Sequence, residues 1–146
     1  MSPRELGAPR PVFWIGTLCL LVSAMASGLL VLEHLDQLRL PGCGEGGDCE
    51  KAAASRWGSL PLGPISWPTS HLGFAYFAAA LLAWWAARGA LPRLGRWVAR
   101  GAVLASLGFL LIILLEGTYC LYCIVAHVGN LAFGVALACT GPRGRR

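Results

Sequence analysis

The sequence predicts an all-α membrane protein, a bundle of four transmembrane helices with a capping extracytoplasmic loop between the first two. Three observations predict this fold: an apolar composition, four long apolar runs, and arginines concentrated on one side of those runs. Of the 146 residues, 56% are hydrophobic and only 13% are charged, and the mean hydropathy is +0.62. A soluble domain carries about 25% charged residues. The length suits one domain, and we assign residues 12–139 to it.

The four apolar runs reach or approach the roughly 20 residues that a spanning helix needs. They are residues 11–32, 70–87, 101–115 and 119–139. The third run is short, and Trp97 and Val98 can extend it at the membrane interface. Within the first run, Ala24-Met25-Ala26 resembles a signal-peptidase site. Because the apolar stretch continues beyond that point, we expect this helix to be retained.

Arginine placement predicts that both termini face the cytoplasm. Nine arginines then lie inside, three basic residues lie outside, and six of the seven acidic residues also lie outside. The inner arginines belong to two basic cytoplasmic tails, residues 1–11 and 140–146, and to the connection between the second and third runs. The net charge of +5 therefore reflects topology, and we see no nucleic-acid site in it. Eleven of the twelve basic residues are arginines, which favours a GC-rich, bacterial source and hence a bacterial cytoplasmic membrane.

The chain has six cysteines, and four of them fall in two pairs on the predicted outer side: Cys43, Cys49, Cys120 and Cys123. Disulfides persist in that oxidising compartment. The second pair is a CxxC, and residues three apart share a helix face, so its thiols can reach each other or a common reactant. The two pairs suggest electron transfer between a soluble thiol protein and a molecule dissolved in lipid. We interpret the other two, Cys19 and Cys139, as small buried hydrophobes.

The outer segment changes composition along its length. Four of the nine residues 41–49 are glycines, so we expect Cys43 to be mobile. From Asp48, a plausible N-cap, good helix formers predict a short helix with Cys49 near its N-terminus. The proline-rich residues 60–68 are expected to lie on the membrane as a cap, with Trp57 and Trp67 as interfacial anchors. A plain connecting loop is the alternative.

A polar stripe runs along one face of the fourth apolar run. Thr118 can cap this helix, which places Cys120 in its first turn, where the helix dipole lowers the pKa of a thiol. Cys123, His127 and Asn130 follow at helical spacing. Polar groups within a membrane segment usually mark a cavity or a functional site, although each alone could be a helix-packing hydrogen bond. Together the four side chains predict a lined pocket.

Four features combine into one pattern. They are the loop pair Cys43 and Cys49, the Ser55-Arg56-Trp57-Gly58 stretch, the CxxC that opens the last helix, and Asn130 seven residues past Cys123. With this pattern, residues 12–139 resemble the vitamin K epoxide reductase family of four-helix membrane thiol oxidoreductases. The CxxC alone is weak, but its combination with Cys-x5-Cys-x5-Ser-Arg-Trp-Gly is specific.

The resemblance implies a thiol:quinone oxidoreductase that promotes disulfide formation. Cys43 would exchange disulfides with a thioredoxin-fold partner, Cys49 would pass electrons to Cys120, and Cys123 would reduce a bound menaquinone or ubiquinone. Ser55 would support the site by hydrogen bonding, and three residues would contact the quinone: His127, Asn130 and Thr69. No metal is implied. Because no thioredoxin-like domain follows the fourth run, we expect a separate extracytoplasmic partner.

One departure from the family concerns His127. Vertebrate members have a tyrosine at this position, four residues after the second CxxC cysteine, as a hydrogen-bond donor to the quinone oxygen. A histidine can also donate, so quinone binding remains the expectation. Reduction of a quinone epoxide, as in vitamin K recycling, is an alternative that this departure makes less favourable.

Three other classes of membrane protein share some of these features. DsbB-type oxidases also combine four helices, two cysteine pairs and a quinone, but their CxxC precedes the other pair in the sequence. A structural zinc site from the four outer cysteines is a second possibility, for which a CxxC within a membrane helix is a poor setting. The third is a non-enzymatic membrane protein stabilised by two disulfides, which a cysteine inventory after partial reduction would distinguish from an enzyme.

Overall fold

The computed structural model describes residues 7–140, which form a mostly helical fold. Its elements in chain order are α1 (Arg10–His34), α2 (Asp48–Ala54), β1 (Ser59–Leu62), β2 (Ile65–Pro68), α3 (Thr69–Ala86), α4 (Arg93–Glu116) and α5 (Leu121–Cys139). The two strands form an antiparallel hairpin in which Leu60 lies opposite Trp67. Most of the predicted basic tails lies outside the described residues, since residues 1–6 and 141–146 are not described.

Within residues 7–140, three helices are long and apolar enough to cross a membrane: α1, α4 and α5. They contain 25, 24 and 19 residues respectively. The fourth long helix, α3, has 18 residues and begins with the polar Thr69, Ser70 and His71, which lowers its mean hydropathy. That α3 also crosses the membrane therefore stays a prediction.

Buried aromatic and small side chains hold the long helices together. Trp84 on α3 is fully buried against Gly16 of α1, where an added Cβ would lie 2.7 Å from the indole ring. The indole Nε1 donates a hydrogen bond to the carbonyl of Phe13 at 3.1 Å. Ser23 of α1 donates to the carbonyl of Ala126 on α5 at 2.9 Å. Such small residues let membrane helices approach closely.

Both described ends of the chain lie at the same end of the bundle as the α3–α4 connection. The backbone N–H of Ala8 donates to the carbonyl of Arg88 at 3.0 Å. Arg96, in the first turn of α4, donates to the hydroxyl of Thr140 at 3.3 Å. Since the long helices alternate in direction, α2, the hairpin and the two outer cysteine pairs lie at the opposite end. The molecule thus has a basic end and a cysteine end.

Three boundaries differ from the sequence prediction. The start of α4 is Arg93, because the arginine-rich residues before the third apolar run are helical as well. The helix α2 begins at Asp48, with Gly47 rather than Asp48 at the N-cap. Residues 60–68 contribute to a β-hairpin, with Gly63 at a φ of +68° in its turn, so the all-α description omits one small sheet.

Candidate functional site

The four outer cysteines meet at the cysteine end of the bundle. Cys43 and Cys49 form a disulfide, and Cys120 and Cys123 are free thiols. The Sγ of Cys120 lies 3.2 Å from the Sγ of Cys49. Disulfide exchange proceeds by attack of a thiolate on a disulfide sulfur. The two pairs are therefore in the contact that exchange between them requires.

Two helix starts bring Cys49 and Cys120 together. Cys49 lies in the first turn of α2. Gly117 ends α4 in the left-handed conformation, with φ at 66°, and Cys120 follows as the N-cap of α5, where its Sγ accepts a hydrogen bond from the backbone N–H of Cys123 at 3.4 Å. The prediction that Thr118 caps this helix is therefore wrong. Cys120 performs the capping itself and precedes the first turn, because the tight turn after Gly117 delays the start of α5.

The surroundings of Cys120 favour its thiolate. A hydrogen bond from the Cys123 side chain lowers the pKa of the Cys120 thiol, while burial opposes this shift. Backbone N–H groups of Cys123 and Tyr122 act in the same direction as the Cys123 side chain, and the Asp48 carboxylate acts against them. The net pKa is lowered, in the predicted direction. Because the thiolate is the nucleophile in exchange, Cys120 is suited to attack a disulfide.

A cavity of about 570 Å³ lies between α1, α3, α4 and α5, beneath α2 and the hairpin. This volume falls within the range of small-molecule pockets, roughly 300–1,000 Å³. Of the four outer cysteines, Cys49 and Cys123 line it. Its wall also contains every other residue that the sequence assigned to the site: Ser55, Thr69, His127 and Asn130.

Ser55 and Thr69 hold the segment between α2 and the hairpin. The Ser55 hydroxyl donates to the carbonyl of Ala52 at 2.9 Å and accepts from the backbone N–H of Trp57 at 3.3 Å. The Thr69 hydroxyl and backbone N–H both donate to the carbonyl of Gly58, at 3.1 and 3.0 Å. These bonds fix the loop that covers the cavity.

His127 and Asn130 contact α4 through a serine that the sequence did not single out. The Oγ of Ser106 lies 3.1 Å from Nδ1 of His127 and accepts a hydrogen bond from Nδ2 of Asn130 at 2.9 Å. Phe109, one turn further along α4, stacks on the imidazole with ring centroids 5.1 Å apart and planes 8° from parallel. Ser106 and Asn130 are both buried. The polar stripe of α5 thus has its partners on the neighbouring helix.

Among the described residues, two buried side-chain polar atoms lack a hydrogen-bond partner: the hydroxyl of Tyr76 and Oδ1 of Asn130. Both residues line the cavity. An unpaired buried polar atom costs free energy, so each group would gain from a hydrogen bond to a ligand, although neither atom is itself exposed to the cavity in this conformation. Tyr76 can donate to a ligand oxygen, and Asn130 Oδ1 can accept from a ligand hydroxyl. Tyr76 lies on α3, from which the sequence predicted only Thr69.

Cys43 is buried, with 4% of its surface exposed, whereas the glycines around it predicted a mobile residue. The disulfide to Cys49 closes a short loop, and Cys43 packs with Leu40 and Cys120. Gly42 and Gly46 adopt positive φ values of 82° and 75°, so these glycines permit a tight loop. Cys43 is therefore largely inaccessible from solvent while the loop keeps this conformation.

The two remaining cysteines are less enclosed than predicted. Cys19 is half-buried, and Cys139, the last residue of α5, is exposed. Within the part of the chain that the structure describes, no group of three or more His, Cys, Asp or Glu side chains could hold a metal ion.

The family model that describes the vitamin K epoxide reductase family matches residues 13–138. No curated protein and no solved structure gives a significant match to the chain. Members of this family are membrane oxidoreductases that use quinones. The match covers most of the chain and, together with the apolar helices, shows an integral membrane protein with a quinone-related redox function.

Proposed function

This chain belongs to the vitamin K epoxide reductase family, and from that premise we propose that it is a thiol:quinone oxidoreductase. Electrons enter from a thioredoxin-fold partner at Cys43 and Cys49, pass to Cys120 and Cys123, and leave on a quinone in the cavity. The observation that carries the proposal is the continuous sulfur path, with Cys120 Sγ 3.2 Å from Cys49 Sγ and Cys123 in the cavity wall. The net reaction converts partner dithiol and quinone to partner disulfide and quinol.

The thiol steps follow from this path. A partner thiolate attacks Cys43, forms a mixed disulfide with it and releases Cys49 as a thiolate. The partner's second thiol then attacks its own sulfur in the mixed disulfide. The partner is thereby released with a disulfide, and Cys43 becomes a thiolate. Cys49 attacks Cys120 in a Cys120–Cys123 disulfide and releases the Cys123 thiolate. Finally Cys43 attacks Cys49, which restores the loop disulfide and frees Cys120. The product of these steps is the arrangement described above, a Cys43–Cys49 disulfide beside two free thiols.

The quinone step uses the cavity. The Cys120 and Cys123 thiols supply two electrons and two protons, which convert the quinone to a quinol and restore their disulfide. His127 and Tyr76 act as donors to the quinone oxygens, and Asn130 Oδ1 accepts from a hydroxyl of the quinol product. We assign Thr69 to holding the loop, because its hydroxyl proton is already donated to the carbonyl of Gly58.

The membrane arrangement is part of the proposal. Residues 12–139 form a four-helix domain in which α3 also spans the membrane, alongside α1 through the buried contact of Trp84 and Gly16. The basic end of the bundle faces the cytoplasm, by the positive-inside rule, and the redox cysteines face the extracytoplasmic side. A separate thioredoxin-fold protein on that side is the partner.

Two alternatives are less well supported. Two structural disulfides would not explain why Cys120 and Cys123 are free thiols beside a cavity. We take a quinone, menaquinone or ubiquinone, as the acceptor in preference to a quinone epoxide because His127 replaces the tyrosine of the vertebrate members. Steady-state turnover with each quinone and with the epoxide of vitamin K as acceptor distinguishes these two reactions.

The Cys43→Ala variant is expected to accumulate a Cys49–Cys120 disulfide. Without Cys43, the Cys49 thiolate can attack Cys120 in the Cys120–Cys123 disulfide, since the two Sγ atoms lie 3.2 Å apart in the structure. This step releases the Cys123 thiolate, but Cys43 is absent and cannot attack Cys49 to free Cys120. Mass spectrometry of peptides from the oxidised variant measures the linkage. The double variant Cys43→Ala/Cys120→Ala is the control and should show none. Exclusive linkage of Cys120 to Cys43 in the wild type, with none from Cys49, would reverse the assigned roles.

The Tyr76→Phe variant is expected to raise the KM for quinone about three- to tenfold, since one hydrogen bond contributes roughly 0.5–1.5 kcal/mol. Its hydroxyl is buried without a partner among the described residues, and the residue is part of the cavity wall. Steady-state quinone reduction at varied quinone concentration measures the effect. Tyr119→Phe is the matched control, because Tyr119 is 56% exposed. An unchanged KM in Tyr76→Phe would remove Tyr76 from the binding site.

A further inference from the structure

Ser106 joins α4 to two polar side chains of α5. The contacts of its hydroxyl determine which group donates and which accepts along this chain of hydrogen bonds. Its Oγ accepts from Nδ2 of Asn130 at 2.9 Å and lies 3.1 Å from Nδ1 of His127. Ser106 is 3% exposed, so water does not compete for its single hydroxyl proton. In the part of the chain that the structure describes, the acceptor that lies within hydrogen-bond distance of this hydroxyl is Nδ1 of His127.

The direction of this chain fixes the tautomer of His127. If Nδ1 carried a proton, it would donate to Ser106, and the buried serine hydroxyl would then have no acceptor, which costs free energy. With the Asn130 amide nitrogen facing Ser106, as in the structure, and an unprotonated Nδ1, Asn130 donates to Ser106 and Ser106 donates to His127, so both contacts of the serine are satisfied. A neutral imidazole carries one ring proton, which in this arrangement lies on Nε2.

The imidazole is also held in plane. Phe109 stacks on it with planes 8° from parallel and centroids 5.1 Å apart, while Ser106 holds its Nδ1 side. His127 lines the cavity, and Nε2 is the ring nitrogen left for a ligand.

We propose that Ser106 is a positioning residue that holds His127 as the Nε2–H tautomer, with the N–H available to a quinone oxygen. This inference rests on the proposed quinone function. A quinone offers only acceptor oxygens, so the other tautomer would present a lone pair to them and weaken binding and reduction. Asn130 is the outer link of the chain, because its amide N–H donates to the Ser106 oxygen and leaves the single hydroxyl proton of Ser106 for Nδ1.

A tautomer measurement tests the inference without any quinone. Nitrogen-15 NMR of histidine-labelled wild-type protein in nanodiscs at neutral pH distinguishes a protonated from an unprotonated Nδ1. His127 is assigned as the signal missing from the His127→Ala variant. We expect a protonated Nε2 and an unprotonated Nδ1. A protonated Nδ1 in the wild type overturns the inference, whether or not the protein reduces quinone.

A double-mutant cycle tests the effect on the reaction, measured as the single-turnover rate of quinol formation by prereduced protein. Ser106→Ala should lower this rate about tenfold in the wild-type background, as expected for loss of a hydrogen bond that orients a donor, and should have no effect in the His127→Ala background. Ser106→Thr keeps the hydroxyl and should restore most of the rate. Ser23→Ala is the matched control and should change the rate little, because Ser23 is a buried serine that also bonds to a neighbouring helix but does not line the cavity.

The outcomes separate the inference from the function on which it rests. Equal rate losses from Ser106→Ala in both backgrounds would mean that Ser106 only stabilises the fold, which contradicts the positioning role. If prereduced wild-type protein forms no quinol, the proposed function fails, and the NMR result still decides the tautomer.

Discussion

Cys123→Ser is expected to abolish quinone reduction. Cys123 is the member of the CxxC pair that lines the cavity, and it lies one turn deeper along α5 than Cys120. A serine at position 123 cannot form a disulfide with Cys120, so the CxxC pair can no longer give up two electrons. Steady-state quinol formation, followed by absorbance with a reduced thioredoxin-fold partner, measures the loss.

The same variant should keep the first half-reaction. Its Cys43–Cys49 disulfide can still oxidise one equivalent of reduced partner, because that exchange does not involve Cys123. Cys139→Ser removes an exposed thiol at the opposite end of the bundle and should leave both half-reactions intact. Steady-state turnover of Cys123→Ser at the wild-type rate would mean that another cysteine reduces the quinone; Cys49, which also lines the cavity, would then be the candidate.

His127→Ala is expected to lower quinone turnover by about 10²-fold or more, the usual cost of losing a donor that stabilises developing charge. As the two oxygens of a quinone accept electron density, a fixed N–H from the cavity wall stabilises them increasingly. Thiol exchange with the partner should be nearly unchanged, because His127 lies on the cavity side of Cys123. Separate assays of the two half-reactions measure this difference.

His127→Tyr and a melting curve control for a structural role. Tyrosine supplies the hydroxyl that the vertebrate members use, so this variant should regain part of the activity lost in His127→Ala. A histidine that only packs helices would behave differently, since its replacement would lower the melting temperature and impair both half-reactions together. Wild-type turnover in His127→Ala would place the quinone head group on another face of the cavity.

The helices could largely be predicted because membrane segments have a simple requirement, a long apolar run. The ends of the helices could not, because they are set by turns in water: α4 extends back to Arg93 through three charged residues. The hairpin was missed because Pro61, Pro64 and Pro68 disfavour a strand. Two short strands nevertheless tolerate proline, since each leaves one edge unpaired and Gly63 supplies the turn.

The residues of the candidate site also fall into two groups, those that the sequence could predict and those that it could not. Helical spacing in the sequence was enough to predict that Cys123, His127 and Asn130 share one face of α5, because residues of one helix face recur every three or four positions. Ser106 and Tyr76 lie on α4 and α3, and no local pattern shows which of their faces meets α5. Only the packing of the helices brings them to the same cavity. The burial of Cys43 was missed for a related reason, since composition describes the freedom of a loop and not the disulfide that closes it.

The most direct test of the central claim is the stoichiometry of electron transfer from thiol to quinone. Purified wild-type protein is mixed without oxygen with an excess of reduced thioredoxin-fold partner and either ubiquinone or menaquinone, while quinol is followed by absorbance and partner disulfide by thiol titration. We predict repeated turnover, with one quinol formed for each partner disulfide, since both products carry a two-electron change. The claim would be contradicted if the protein oxidised only as much partner as the disulfides it already contained and formed no quinol from either quinone.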